Sequence, residues 1–137
     1  MIATAQAMDA EMAERIERHQ AERSAAWRTV EAPVDLAKAI ADLAPDEIAV
    51  VDCLTLWLSN VFMRGMVVAD ECDDLAAAVQ ACPARLWLVS NETGLGIVPD
   101  NALARRFRDE SGRLHQRLAA LADHAVFVVA GLPLTLK

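Results

Sequence analysis

Residues 85 to 96 read Arg85-Leu86-Trp87-Leu88-Val89-Ser90-Asn91-Glu92-Thr93-Gly94-Leu95-Gly96. An apolar run passes directly into a polar loop with two glycines. The stretch that follows, 101–122, repeats its apolar residues at helical spacing: Leu103, Phe107, Leu114 and Leu118. Strand, loop and helix in that order form the repeating unit of an open α/β sheet. Ligands in such sheets bind outside the carboxyl ends of the strands.

The same pattern extends to both sides. Residues 47–53 are another apolar run, closed by Asp52, and 54–63 form an apolar helix. Uninterrupted runs of this kind suit parallel strands buried on both faces. The reading predicts further helices at 9–23, capped by Asp9, at 34–43 and at 71–81, the last stopped by Pro83. An extended piece is expected at 27–31, a buried strand at 125–130 and a short last strand at 134–136. Ile2-Ala3-Thr4-Ala5 reads as the end of a strand. Strands alternating with helices predict an α/β fold, a mostly parallel sheet with helices on both faces.

Composition bounds what such a domain does. A chain of 137 residues fits one domain with one core, here residues 1–137. It is 55% hydrophobic and 24% charged, the balance of a globular protein. A net charge of -7 excludes a general nucleic-acid or anionic-membrane binder, which works through a basic surface. Local arginines still permit an anionic small molecule. No apolar run reaches the ~20 residues of a spanning helix. Cys53, Cys72 and Cys82 are odd in number and lack metal-ligand spacing, which predicts a reduced, cytoplasmic setting.

Several residues suit phosphoryl chemistry. Asp52 ends an apolar strand, the position from which an acid holds Mg²⁺ beside nucleotide phosphates. Mg²⁺ keeps several waters, so one carboxylate suffices. His19 and Arg23 lie one turn apart on the first helix and so share a face. A neutral imidazole is a nucleophile able to attack phosphorus, and an arginine beside it neutralises phosphate oxygens. Glu31, at the end of an extended piece, is of a type that accepts hydrogen bonds from a guanine edge or a ribose. Asn91, Glu92, Gly94 and Gly96 form the loop, and Arg105 and Arg108 stand on the next helix. Each residue also has an ordinary structural reading: a strand-end charge, a surface histidine, an i, i+4 pair of Arg105 with Asp109. His115 and His124 carry no comparable signal.

Taken together, these segments resemble one family. Arg15-Ile16-Glu17-Arg18-His19, Arg23 and Trp27-Arg28-Thr29-Val30-Glu31 are similar to the bifunctional adenosylcobinamide kinase / adenosylcobinamide-phosphate guanylyltransferases of cobalamin biosynthesis. So are Ser90-Asn91-Glu92-Thr93-Gly94-Leu95-Gly96-Ile97-Val98-Pro99, Phe107-Arg108-Asp109 and Gln116-Arg117-Leu118-Ala119. The resemblance runs from Ile2 to Lys137.

The resemblance implies a P-loop-NTPase-like fold and a homotrimer. It implies GTP or ATP as co-substrate, Mg²⁺, and adenosylcobinamide or its phosphate as acceptor. His19 matches the histidine that becomes guanylylated. Thr4, Ala5, Gln20, Ala21, Glu22, Arg23, Glu31 and Asp52 match positions near the nucleotide, with Asp52 on Mg²⁺. Asn91, Glu92, Gly94, Gly96, Arg105 and Arg108 match a loop facing the corrinoid or a neighbouring subunit.

There are departures. Family members open with a strand and a Gly-x-x-x-x-Gly-Lys-Ser loop, whose backbone N–H groups hold phosphates. The five glycines here all lie from Gly65 onward, and none forms that pattern. The expectation is therefore a domain lacking its first strand and P-loop, with doubtful kinase activity. Arg18 stands where some members have a histidine, and His115 where an asparagine is expected. The alternative expectation is a non-catalytic remnant, or subunit-interaction protein, that does not bind GTP productively.

Overall fold

A computed structural model describes residues 1–7, 9–21 and 26–137, apart from the side chains of Arg15, His19 and Gln20. The chain divides into two compact units, Met1–Asn91 and Glu92–Lys137.

Among the described residues, the first unit is a four-stranded parallel sheet with four helices. Its strands are β1 (Ile2–Ala3), β2 (Val30–Glu31), β3 (Ile48–Asp52) and β4 (Arg85–Val89), in the order β2-β1-β3-β4. All three pairings are parallel. The helices are α1 (Ala10–Ala21), α2 (Leu36–Ala41), α3 (Leu54–Met63) and α4 (Val68–Ala81). This is the α/β fold with a mostly parallel sheet that the alternation of apolar runs predicts.

Local chemistry sets the helix ends. The Asp9 carboxylate accepts the Met12 N–H at 2.7 Å, which caps α1 as expected. Helix α4 begins at Val68, three residues before the predicted start. Its N-cap Val67 has no side chain able to cap, so no signal marks that boundary in the sequence. Asp70 and Glu71 occupy its first turn, where the helix dipole favours anions. Gly65, at φ 65°, turns the chain between α3 and α4.

The core gathers where the helices meet the sheet. Ile2, Leu36, Ile40, Val51, Trp57, Leu58, Val61 and Leu75 are almost wholly buried. Helix α4 packs against both α2 and α3. Polar groups also belong to this core. Asn60 donates from Nδ2 to the carbonyls of Thr4 at 2.8 Å and Pro33 at 2.9 Å. Trp57 donates from Nε1 to the Val34 carbonyl at 2.9 Å. These three bonds give partners to carbonyls in or beside the core, and the Val34 carbonyl also accepts the Leu36 N–H at 2.7 Å.

Glu71 sits half-buried among acids. Burial first, then Asp74, Asp35 and Asp70, raise its carboxyl above the ordinary carboxylate range. The folded state therefore holds this proton to higher pH than the unfolded chain. The ionised group costs stability once pH has risen through the raised folded value, and costs none below the unfolded value. Glu71→Gln is expected to stabilise the fold at about pH 7, by no more than about 0.5 kcal/mol, and to leave its stability unchanged at about pH 3. Thermal melts at the two pH values check this; a larger gain at the acid value would contradict it.

The expected burial of β4 on both faces is not found. Its residues alternate, with Arg85, Trp87 and Val89 exposed and Leu86 and Leu88 half-buried. Among the described residues β4 is the last strand of this sheet, and the face that carries Arg85, Trp87 and Val89 is open to solvent.

The second unit holds a loop, the helix α5 (Ala102–Leu121) and the strands β5 (Val126–Val129) and β6 (Leu132–Thr135). The Asn101 Oδ1 caps α5 by accepting the N–H groups of Leu103 at 2.8 Å and Ala104 at 3.1 Å. At the other end, the Lys137 ammonium donates to the carbonyls of Ala119 and Ala120, where a cation suits the helix dipole.

The predicted buried strand at 125–130 is corrected. Strand β5 pairs antiparallel with β6, from Val126↔Thr135 to Val129↔Leu132. Val126, Val128 and Val129 are exposed. Ala130 and Gly131 both have positive φ, 52° and 76°. A two-residue turn of that kind joins antiparallel strands, whereas a parallel neighbour needs a long crossover.

Candidate functional site

Parallel pairing brings the expected nucleotide residues to one end of the first unit. Ala3 pairs with Glu31 on one side and with Asp52 on the other. Asp52 in turn pairs with Val89. The residues that end or follow these strands are Thr4 and Ala5, Glu31, Asp52, and Ser90 with Asn91. They lie together at the carboxyl ends of β1, β2, β3 and β4, the edge at which open α/β sheets bind ligands.

Their environments differ. Thr4 is fully buried, and its hydroxyl accepts the Cys53 N–H at 2.8 Å and donates to the Cys53 carbonyl at 2.7 Å. Its N–H donates to the Asp52 carbonyl at 3.1 Å. Thr4 is thus a staple between β1 and the end of β3. Ala5 and Asp52 are half-buried, and Glu31 is exposed.

The backbone of His19, Gln20 and Ala21 forms the last turn of α1. The side chains of His19 and Gln20, and all of Glu22 and Arg23, lie outside the described residues.

Two hydroxyls at the same edge were not singled out by sequence reading. Thr55, in the first turn of α3, accepts the Asn91 N–H at 2.9 Å. Its Oγ1 also shares a hydrogen bond with the Ser90 hydroxyl at 3.2 Å. The partners stand 35 and 36 residues apart, and no local pattern announces such a pair.

In the second unit, α5 holds its own preceding loop. The Arg105 guanidinium donates to the carbonyls of Pro99 at 2.9 Å and Asp100 at 2.6 Å. Arg108 donates to the Gly94 carbonyl at 3.0 Å. The Glu92 carboxylate accepts the Gly94 N–H, and its other oxygen lies 3.8 Å from the His115 Nδ1. His115, which the sequence reading set aside, therefore faces the loop. Around these polar ties the loop is apolar and open: Leu95 is 78% and Ile97 97% exposed. Val98 and Leu103 are exposed beside them. The arginines expected to face a ligand also serve as clamps on the loop backbone.

Among the described residues no group of three or more His, Cys, Asp or Glu is placed to hold a metal. That donor set fits a cation held by one carboxylate, water and a ligand's phosphates, as Mg²⁺ is. It does not fit an all-protein cage. No helix among the described residues is long and apolar enough to cross a membrane. A cavity of about 160 Å³ at the other, amino-terminal end of the sheet is lined in part by Met1, Val30, Ile48 and the Arg28–Glu47 ion pair. It contains none of the expected site residues.

Comparison with known proteins gives this geometry a family. The model of the family described as cobinamide kinase / cobinamide phosphate guanyltransferase matches residues 1–136. The bifunctional adenosylcobalamin biosynthesis protein CobU of Salmonella typhimurium is 45% identical over 152 aligned residues, which take in 99% of this chain and 84% of that protein. The bifunctional adenosylcobalamin biosynthesis protein CobP of Pseudomonas aeruginosa is 46% identical over 139, covering 99% of this chain and 80% of its own length. CobU of Escherichia coli is 40% identical, with 99% and 84% covered. With nearly the whole chain matched at this identity and the parallel α/β sheet in place, the chain belongs to the cobinamide kinase / cobinamide phosphate guanyltransferase family.

Proposed function

We propose that this chain is a nucleotidyltransferase of cobalamin biosynthesis that moves GMP from GTP to adenosylcobinamide phosphate. The observation that carries the reading is the convergence of Thr4, Ala5, Glu31, Asp52 and Asn91 at one sheet edge in a chain of this family. In the proposal, a nitrogen of the neutral His19 imidazole attacks the α-phosphorus of GTP. The P–N bond forms, the P–O bond to the β-phosphate breaks, and pyrophosphate leaves. A phosphate oxygen of adenosylcobinamide phosphate then attacks the same phosphorus. The new P–O bond gives adenosylcobinamide-GDP and returns the electron pair of the P–N bond to His19.

Arg23 neutralises charge at phosphorus, and Gln20, Ala21 and Glu22 match positions near the nucleotide in the family. Glu31 binds the nucleoside. Asp52 would hold Mg²⁺, whose contribution is to offset phosphate charge. The loop of Asn91, Glu92, Gly94 and Gly96, tied down by Arg105 and Arg108, presents its apolar tip to the corrinoid or to a neighbouring subunit of a homotrimer. The exposure of Leu95 and Ile97 supports that role, since open apolar patches mark binding surfaces.

Titration with GTP and Mg²⁺ in a calorimeter tests the proposal. Binding at micromolar strength is expected. GTP labelled at the α-phosphate should then leave its label on the protein, in a bond labile to acid and stable to base, as a phosphoramidate is. Absence of binding would support a non-catalytic remnant instead.

A further inference from the structure

We infer that Thr55 is a positioning residue for the chemistry at Asp52, acting by locking the exit of β4 to the end of β3. The inference rests on the proposed GTP site, and deepens it. The β3–β4 ladder closes with the pair Asp52↔Val89. Beyond that pair the strands diverge, β3 into α3 and β4 into the Asn91 loop. Thr55 bridges the divergence with one oxygen. Its Oγ1 accepts the Asn91 N–H and shares a proton with the Ser90 Oγ.

A hydroxyl has one hydrogen and two lone pairs, so both bonds can be made at once, whichever hydroxyl donates in the second. Threonine is also stiff about χ1, because two heavy atoms branch from its Cβ. Valine matches its shape and serine keeps its oxygen, which separates the hydrogen bond from the packing.

Asp52 is anchored on both flanks. On the β1 side, Thr4 holds Cys53 through both of its hydroxyl bonds. On the β4 side, Thr55 holds Ser90 and Asn91. Thr4 is fully buried, whereas Thr55 and Ser90 are half-buried and Asn91 is exposed at the ligand-binding edge. The Thr4 staple therefore serves the fold. The Thr55 staple fixes Ser90 and the Asn91 backbone relative to Asp52. Small displacements of groups that position a substrate are costly to rate while leaving ground-state binding little changed.

The test compares Thr55→Val and Thr55→Ser in the full chain. Two readouts are used: hydrogen exchange of the Asn91 amide, and kcat and KM for GTP in guanylyl transfer. In Thr55→Val the Asn91 amide should exchange about tenfold faster and kcat should fall about tenfold, with KM within about twofold. Thr55→Ser should restore both. An Asn91 amide that exchanges no faster in Thr55→Val overturns the inference. So does faster exchange with kcat unchanged, or a Thr55→Ser variant as impaired as Thr55→Val. Should Thr55→Val fail to fold, Thr55→Ser decides alone, wild-type protection and kcat supporting the inference and loss of either refuting it. A wild-type chain that forms no GMP adduct refutes the proposed function separately, and the exchange result then decides whether Thr55 holds the Asn91 loop.

Discussion

His19→Ala is expected to abolish the covalent GMP adduct and to lower guanylyl transfer by on the order of 10³-fold or more. The imidazole is the nucleophile of the proposed reaction, so no smaller group at position 19 can form the P–N bond. GTP binding should be far less affected, because Glu31 and Asp52 sit at the sheet edge and not on α1. The measurement is label transfer from α-labelled GTP to protein, followed by acid release, in parallel with calorimetric GTP binding. Loss of the adduct with retained binding assigns the nucleophile. An undiminished adduct in His19→Ala would falsify the mechanism.

The largest effect on stability is expected from Trp57→Ala, at about 3–5 kcal/mol. Trp57 is 1% exposed in the centre of the first unit. Its removal leaves a cavity in the core of the first unit and takes the indole donor from the Val34 carbonyl, which keeps the Leu36 N–H. A loss of that size is a large share of the roughly 5–15 kcal/mol that holds a typical domain together. Trp87→Ala provides the internal comparison. Trp87 is 59% exposed on the edge strand β4, and its loss should cost less than about 1 kcal/mol. Urea unfolding with unchanged slopes measures both. Equal losses at the two tryptophans would show that the burial described here does not govern stability.

The two tryptophans show where sequence reading stops. Both stand in apolar runs, 54–63 and 85–90, and neither run distinguishes them. Trp57 is buried on helix α3, which packs against α4, and Trp87 stands on the last strand of the sheet. The same limit explains β5. Its run Val126-Phe127-Val128-Val129 reads as a core strand, but Ala130-Gly131 turns it back into an exposed hairpin. Helix α4 starts before its predicted residue, at a boundary that Val67, with no capping side chain, leaves unmarked in the sequence.

At the candidate site, the strand-end positions were legible because apolar runs announce strands, and the polar residue that ends a run marks its carboxyl edge. Glu31, Asp52 and Asn91 followed from that logic, and Thr4 from the family resemblance alone. Thr55, Ser90 and the approach of His115 to Glu92 were not legible. Each is a pairing of residues distant in the chain, made by the sheet or by a helix folding back on its loop. Arg105 and Arg108 were legible as charges beside a loop, but their use in clamping its carbonyls was not.

The sequence by itself determined the alternation of strands and helices and the family. These depend on local period, capping groups and motif spacing, all written along the chain. Only the tertiary structure decided that β4 is an edge strand, that β5 turns into a hairpin, and that one threonine oxygen ties the ends of β3 and β4 together. Those outcomes depend on which segments become neighbours. Neighbours in a parallel sheet are set by long crossovers and shared burial, and neither leaves a local mark on the residues concerned.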